Sequence, residues 1–164
     1  MNVLALDLGT KTGWALSEGG RIESGVQDFS PKRGESPGMR YLMFRRWLVE
    51  VLMKRTPLET TLDLIVYELP HLRGGAAATV LAGLQTRVEE FCAEHGIEYA
   101  SVHTATLKKF ATGSGRGDKN AMLVAAFDRG WTAHMQRNGE PDDNEVDAIC
   151  LLHYALREIV GAPK

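Results

Sequence analysis

Asn2-Val3-Leu4-Ala5-Leu6-Asp7-Leu8-Gly9-Thr10 decides how the rest of the chain is read. Val3, Leu4, Ala5, Leu6 and Leu8 form a nearly unbroken apolar run, the pattern of a strand covered on both faces. Asp7 sits inside that run, although aspartate is depleted in strands and rarely buried without a partner. A metal ion would offset its charge, and so would a lysine or an arginine. Gly9 and Thr10 turn the chain, and Thr12-Gly13-Trp14-Ala15-Leu16 reads as a second strand running back.

Arg21 to Phe29 follows as a third strand after the turn at Gly19-Gly20, which makes an antiparallel meander. Ser30 to Gly38, with its prolines, glycines and the Lys32-Arg33 pair, is an exposed loop. A helix is expected from Met39 to Lys54, because Phe44, Trp47, Leu48, Val51 and Leu52 share one face. Arg40, Arg45, Arg46, Lys54 and Arg55 then lie on a solvated surface, some of them able to track a phosphate backbone.

Leu62-Asp63-Leu64-Ile65-Val66-Tyr67-Glu68 is a second buried-type strand that ends in an acid, stopped by Pro70. If it runs beside the first strand and parallel to it, Glu68 comes close to Asp7. The competing expectation pairs Glu68 with a neighbouring cation, His71 or Arg73. Gly74 to Glu94 is a long helix that opens on small residues, with Ala82 and Gly83 a turn later. These suit packing on the chain's own sheet, or a second subunit.

Ile97 to Val102 is a fifth strand, Thr104 a helix cap, and Thr106-Leu107-Lys108-Lys109-Phe110 a short helix. Thr112-Gly113-Ser114-Gly115-Arg116-Gly117-Asp118-Lys119 fits neither a dinucleotide fingerprint nor a P-loop. It is a glycine loop with backbone donors and cations, either a phosphate contact or a plain linker. If Asp118 caps the next helix, Lys119 lies in its first turn, where the dipole disfavours a cation by ~0.3–1 kcal/mol. Such a lysine is kept for a phosphate or a carboxylate. That helix spans Asn120 to Arg129, with Met122, Leu123, Ala126 and Phe127 inward, and a polar connection with Trp131 and His134 follows.

The last helix runs from Asp143 to Val160, and Asp142 with Glu145 fits a capping box. Asp147 lies one turn in, on a face otherwise formed by Ala148, Leu151 and Leu152. Asp143 and Asn144 precede it at spacings that share its side of the helix. Like charges so spaced cost ~0.2–0.5 kcal/mol, and a divalent cation reverses the sign. Carboxylates without His/Cys spacing favour Mg²⁺ or Mn²⁺ over zinc. Two such ions ~3.5–4 Å apart can cleave a phosphodiester.

The 164 residues suit one domain with a full-sized core, expected to span residues 1–164. A net charge of −2 gives no global nucleic-acid signal, yet a local basic face can coexist with an acidic site. Cys92 and Cys150 read as reduced core thiols of a cytoplasmic protein. No run approaches the ~20 apolar residues of a membrane span, and no leader precedes the first strand.

Four motifs in order, LALDLGTKTGWAL, IVYE, TLKKFATGSGRGDKNAM and DDNEVDA, resemble the RuvC family of Holliday-junction resolvases, including its phage-type members, within the RNase H-like superfamily. The resemblance spans nearly the whole chain. It implies an α/β RNase H-like fold, a mixed five-stranded sheet (three antiparallel, then two parallel strands) flanked by helices. It also implies a Mg²⁺- or Mn²⁺-dependent endonuclease, with two ions per site, that cuts four-way junctions and other branched DNA as a homodimer in a bacterial or phage-infected cell.

The family's catalytic acids match Asp7, Glu68 and Asp147, and its functional lysines match Lys108 and Lys119, with Lys109 one position away. The family usually has Asp or His three residues before the last acid. Here Asn144 stands there with Asp143 beside it, so the fourth metal ligand is Asp143 or, second, Asn144. His71 occupies the region where the family places a base-stacking aromatic. Lys11, His71, Arg73, Lys108, Lys109, Arg116 and Lys119 complete the expected DNA contacts. Two other classes compete. An actin-like nucleotide-binding protein would need further phosphate and adenosine motifs. A non-catalytic nucleic-acid binder would have no need of the acids.

Overall fold

The computed structural model describes residues 1–53, 62–69, 74–132 and 142–161. Five strands, β1 (Val3–Asp7), β2 (Lys11–Glu18), β3 (Arg21–Asp28), β4 (Leu64–Leu69) and β5 (Glu98–His103), form one sheet in the order β3-β2-β1-β4-β5. β1 pairs antiparallel with β2, and β2 with β3, as tight turns between them dictate. β4 pairs parallel with β1 and with β5, and these pairings need crossovers. The helices are α1 (Met39–Met53), α2 (Gly75–His95), α3 (Thr104–Thr112), α4 (Lys119–Asp128) and α5 (Asp143–Tyr154). A π-helical turn, Ala155–Ile159, ends the last of these.

Strand alternation sorts the core into two layers. Leu4, Leu6, Leu16, Ile65 and Tyr67 face α1 and α2, where they meet Phe44, Leu48, Leu84, Val88 and Phe91. Phe44 and Leu48 are fully buried, and each such side chain contributes ~1.5–3 kcal/mol of apolar burial. Phe29 meets Phe44 edge-on at 5.2 Å and closes this layer. Val3, Ala5, Leu64 and Val66 face the other way, onto Leu107, Met122, Ala126, Val146 and Ile149 of α3, α4 and α5. Cys92 and Cys150 are buried free thiols, one in each layer, both pushed up to about 12 chiefly by burial.

Four expectations change. Phe127 is 62% exposed, because α4 is apolar on most sides and only Met122 and Ala126 reach the interior. Gly83 does not keep α2 open for a second subunit at that point, since a Cβ there would lie 2.5 Å from the Tyr41 ring of α1. Thr104 is the first residue of α3, after His103 at the N-cap, and its hydroxyl is used elsewhere. Arg40 and Arg45 are not merely solvated. Arg40 Nη1 donates to Thr10 Oγ1 at 3.0 Å, and Arg45 Nη2 pairs with Glu94 Oε2 at 2.6 Å. Lys54, Arg55, Pro70, His71, Arg73 and His134 lie outside the described residues. Among the described residues, no helix is long and apolar enough to cross a membrane.

Candidate active site

Asp7 ends β1 and Glu68 lies next to the end of β4. The parallel register pairs Leu6 with Tyr67, so the next residues along, Asp7 and Glu68, sit side by side. Both fall in the same alternation as Ala5 and Val66, on the sheet face covered by α3, α4 and α5. A third acid arrives on α5. Asp142 caps that helix by accepting from the Asn144 N–H at 2.9 Å, and Asp147 follows one turn later. Glu145 Oε1 accepts from Ser24 Oγ at 2.6 Å and ties the start of α5 to β3.

Gly13 sets how closely α5 can lie on the sheet. A Cβ at that position would stand 1.8 Å from the Asn144 carbonyl oxygen, so only hydrogen fits. β2 and the first turn of α5 are thereby in backbone contact, and Asp147 is lowered toward Asp7, which is paired with Gly13 across β1 and β2.

The electrostatics record that convergence. The Asp7 carboxyl is held well above the usual carboxylate range, first by burial, then by the charges of Asp147 and Glu68, with Lys119 opposing. Asp147 is pushed up to about 6, first by burial, then by Glu68 and Asp143, with Lys108 and Lys119 opposing. Glu68, Thr104, Leu107, Lys108, Lys119, Met122 and Asp147 line a cleft of about 210 Å³. Thr104 Oγ1 donates to Glu68 Oε1 at 2.5 Å.

Lys119 opens α4, where Asp118 Oδ1 accepts from the Ala121 N–H at 2.8 Å. Its ammonium group pairs with Asp143 Oδ2 at 2.7 Å and is raised above the usual lysine value, chiefly by that bond. The glycine loop begins at Gly113, which ends α3 in the left-handed region at φ 81 and donates to the Lys109 carbonyl. Thr112 Oγ1 accepts from the Ser114 N–H at 3.2 Å and braces that turn.

Of the expected site residues, Asp7, Glu68, Asp147, Lys108 and Lys119 are brought together. Asp143 joins them through Lys119, and Asn144 approaches with its backbone against Gly13. Lys109 and Arg116 are exposed nearby in the chain, and Lys11 is exposed at the start of β2. Sequence reading missed Thr104 and Gly13 as parts of the site. A glycine inside a strand does signal close approach, but it does not name the partner.

The donor set suits a hard divalent cation in element and in charge, since carboxylates that raise one another's proton affinity are stabilised by one. As the side chains stand, no three acids, histidines or cysteines among the described residues close around a metal ion.

No family model matches the chain, and no curated protein does. Solved structures do. RuvC of Thermus thermophilus superposes with a TM-score of 0.72 at 18% identity, covering 100% of this chain and 99% of that one. The same organism's RuvC in complex with a Holliday-junction substrate gives 0.73 at 18% identity, covering 100% and 98%. A mixed sheet in the order β3-β2-β1-β4-β5, with helices on both faces and that full-length superposition, gives the chain the RNase H-like α/β fold of RuvC.

Proposed function

We propose that the chain, as one nuclease domain over residues 1–164, is a divalent-cation-dependent endonuclease that cuts four-way DNA junctions and other branched DNA. The observation that carries this reading is the electrostatic coupling of Asp7, Glu68 and Asp147, the latter two lining a cleft together with Lys108 and Lys119. A structural role needs no such arrangement, because packing like charges under α5 costs stability. The junction-bound state of the RuvC neighbour supports branched DNA as the substrate class.

Asp7, Glu68 and Asp147 would hold Mg²⁺ or Mn²⁺, two ions per site, with Asp143 or Asn144 as a further ligand. When bound, the ions supply an activated water and stabilise the leaving oxygen of an in-line displacement. The chain's own residues do the rest. The Lys108 and Lys119 ammonium groups attract the scissile phosphate and offset charge that develops on its oxygens. Lys119 is also paired with Asp143, so phosphate and carboxylate compete for one cation. Exposed Lys11, Lys109 and Arg116, together with His71 and Arg73, serve the flanking backbone. Cutting two symmetric strands calls for two copies of the chain, and we assign it a homodimer. The free buried thiols suit a reducing, cytoplasmic setting in a bacterial or phage-infected cell.

The test is cleavage of a four-way junction, with linear duplex as control, by wild type and Asp7→Asn, with and without Mg²⁺. Junction-selective, Mg²⁺-dependent cutting by wild type alone is expected. Tight binding without cutting under every condition would leave a non-catalytic binder.

A further inference from the structure

The geometry points to Thr104 as the positioning residue of this site: its hydroxyl holds one oxygen of Glu68 in place and leaves the other for a divalent cation. This role rests on the reading of the cleft as a cation site.

The β4–β5 register puts Thr104 there. Glu68 pairs with Val102 and Leu69 with His103, so β5 ends beside the acid and the chain enters α3 at the next residue. Threonine at a helix start ordinarily caps it, with its oxygen accepting from the backbone. Here the Thr104 hydroxyl donates instead, to Glu68 Oε1 at 2.5 Å, and it makes no cap bond. Among the described residues this is the hydrogen bond Glu68 receives. Thr104 and Lys108 are four apart on α3, share one face and line the same cleft.

A glutamate side chain has three rotatable bonds, and a charged one crowded by Asp7 and Asp147 would swing outward to reduce repulsion. The hydroxyl opposes that swing. It adds no charge, so it does not compete with a cation as a lysine partner would. Groups that orient a liganding carboxylate change metal affinity by ~10–100-fold when removed.

The experiment measures Mn²⁺ and Mg²⁺ affinity by calorimetry on the DNA-free full chain, for wild type, Thr104→Val and Thr104→Ser. Thr104→Val keeps shape and loses the donor, and Thr104→Ser keeps the donor. The valine variant is expected to bind the cation ~10-fold or more weakly. The serine variant should stay near wild type, and both should keep wild-type melting temperatures without cation. Equal affinity in wild type and Thr104→Val overturns the role of Thr104 and leaves the nuclease reading standing. If wild type binds neither cation, the metal-nuclease reading falls and this role falls with it. A loss of affinity in Thr104→Val that serine does not restore assigns the effect to packing and also overturns the role.

Discussion

The Asn144 carbonyl oxygen lies where a side chain on Gly13 would begin, 1.8 Å from an ideal Cβ. Neither partner is a flexible tip, since one is strand backbone and the other is the first turn of α5. Gly13→Ala therefore forces α5 off β2. Overpacking in cores costs ~1–3 kcal/mol, and a backbone clash belongs at or above the upper end. The variant should melt several degrees lower and lose cleavage, because Asp147 rides on the displaced helix. A melting temperature within a degree of wild type, with full activity, would show that α5 does not sit so close.

Three acids facing one another are a liability in the absence of a cation. Asp7→Asn removes a carboxylate whose ionisation is opposed by burial and by Asp147 and Glu68. In EDTA it should melt higher than wild type while its junction cleavage is abolished. Asp147→Asn should behave the same way, and Glu68→Gln should lose cutting with junction binding retained. Lower melting temperatures for both aspartate variants in EDTA would mean that the acids support the fold.

The acidity of the site sets a pH dependence. Asp147 titrates at about 6 in the folded protein, against ~3.9 for an unfolded aspartate. Between those values the folded state holds the proton that the unfolded state has released, so stability falls as pH rises through the window. Asp7 is raised as well and acts in the same direction. Mg²⁺ should thus raise the melting temperature at about pH 7.5 and lose that effect toward about pH 5, as protons replace the cation. Differential scanning fluorimetry across this range reads the change directly. A Mg²⁺ shift that persists undiminished at low pH would place the cation elsewhere.

His153 works against that trend. Burial lowers its imidazole to about 4, its Nε2 is buried without a hydrogen-bond partner among the described residues, and its ring stacks on Trp131 at 4.4 Å. A histidine depressed below its unfolded ~6.5 contributes stability that is complete above that value and is lost as pH falls toward about 4. His153→Phe keeps the stack and removes the titration. The variant's melting temperature should gain on wild type progressively as pH drops through that window. A difference that stays constant with pH would mean that His153 titrates alike in the folded and unfolded chain and that burial does not lower it.

Lys119 and Asp143 form an exposed pair, and such pairs contribute ~0–1 kcal/mol. Lys119→Ala should leave the melting temperature nearly unchanged and slow single-turnover cleavage more than it weakens junction binding. Equal losses in both would reduce Lys119 to an ordinary phosphate contact. Asp143→Asn and Asn144→Ala, assayed together, decide the further ligand. Full activity of the former with loss in the latter would move that role to Asn144.

The strands of the sheet were readable in the chain because their apolar runs are long and their turns are sharp. The two buried strands that each end in an acid allowed a parallel neighbourhood of Asp7 and Glu68 as one of two readings, and the β1–β4 register supplies it. α4 was misread at Phe127 because Ala121, Met122, Leu123, Val124 and Ala126 leave no polar side from which to orient the helix. The small residues of α2 suggested a subunit contact, and at Gly83 the space is filled by Tyr41 from the chain's own α1. Thr104 could not be read at all, since a hydroxyl at a helix start looks like a cap until the neighbouring strand is known. Pairing Gly13 with Asn144 likewise required the docking of α5.

Asp7 belongs to the first strand and Asp147 to the last helix, so the two acids are neighbours only after the chain has closed on itself. A nascent polypeptide still short of α5 holds two of the three carboxylates and nothing to complete them. The acidic cluster is thus a property of the closed fold alone, and lifting α5 from the sheet is enough to dismantle it.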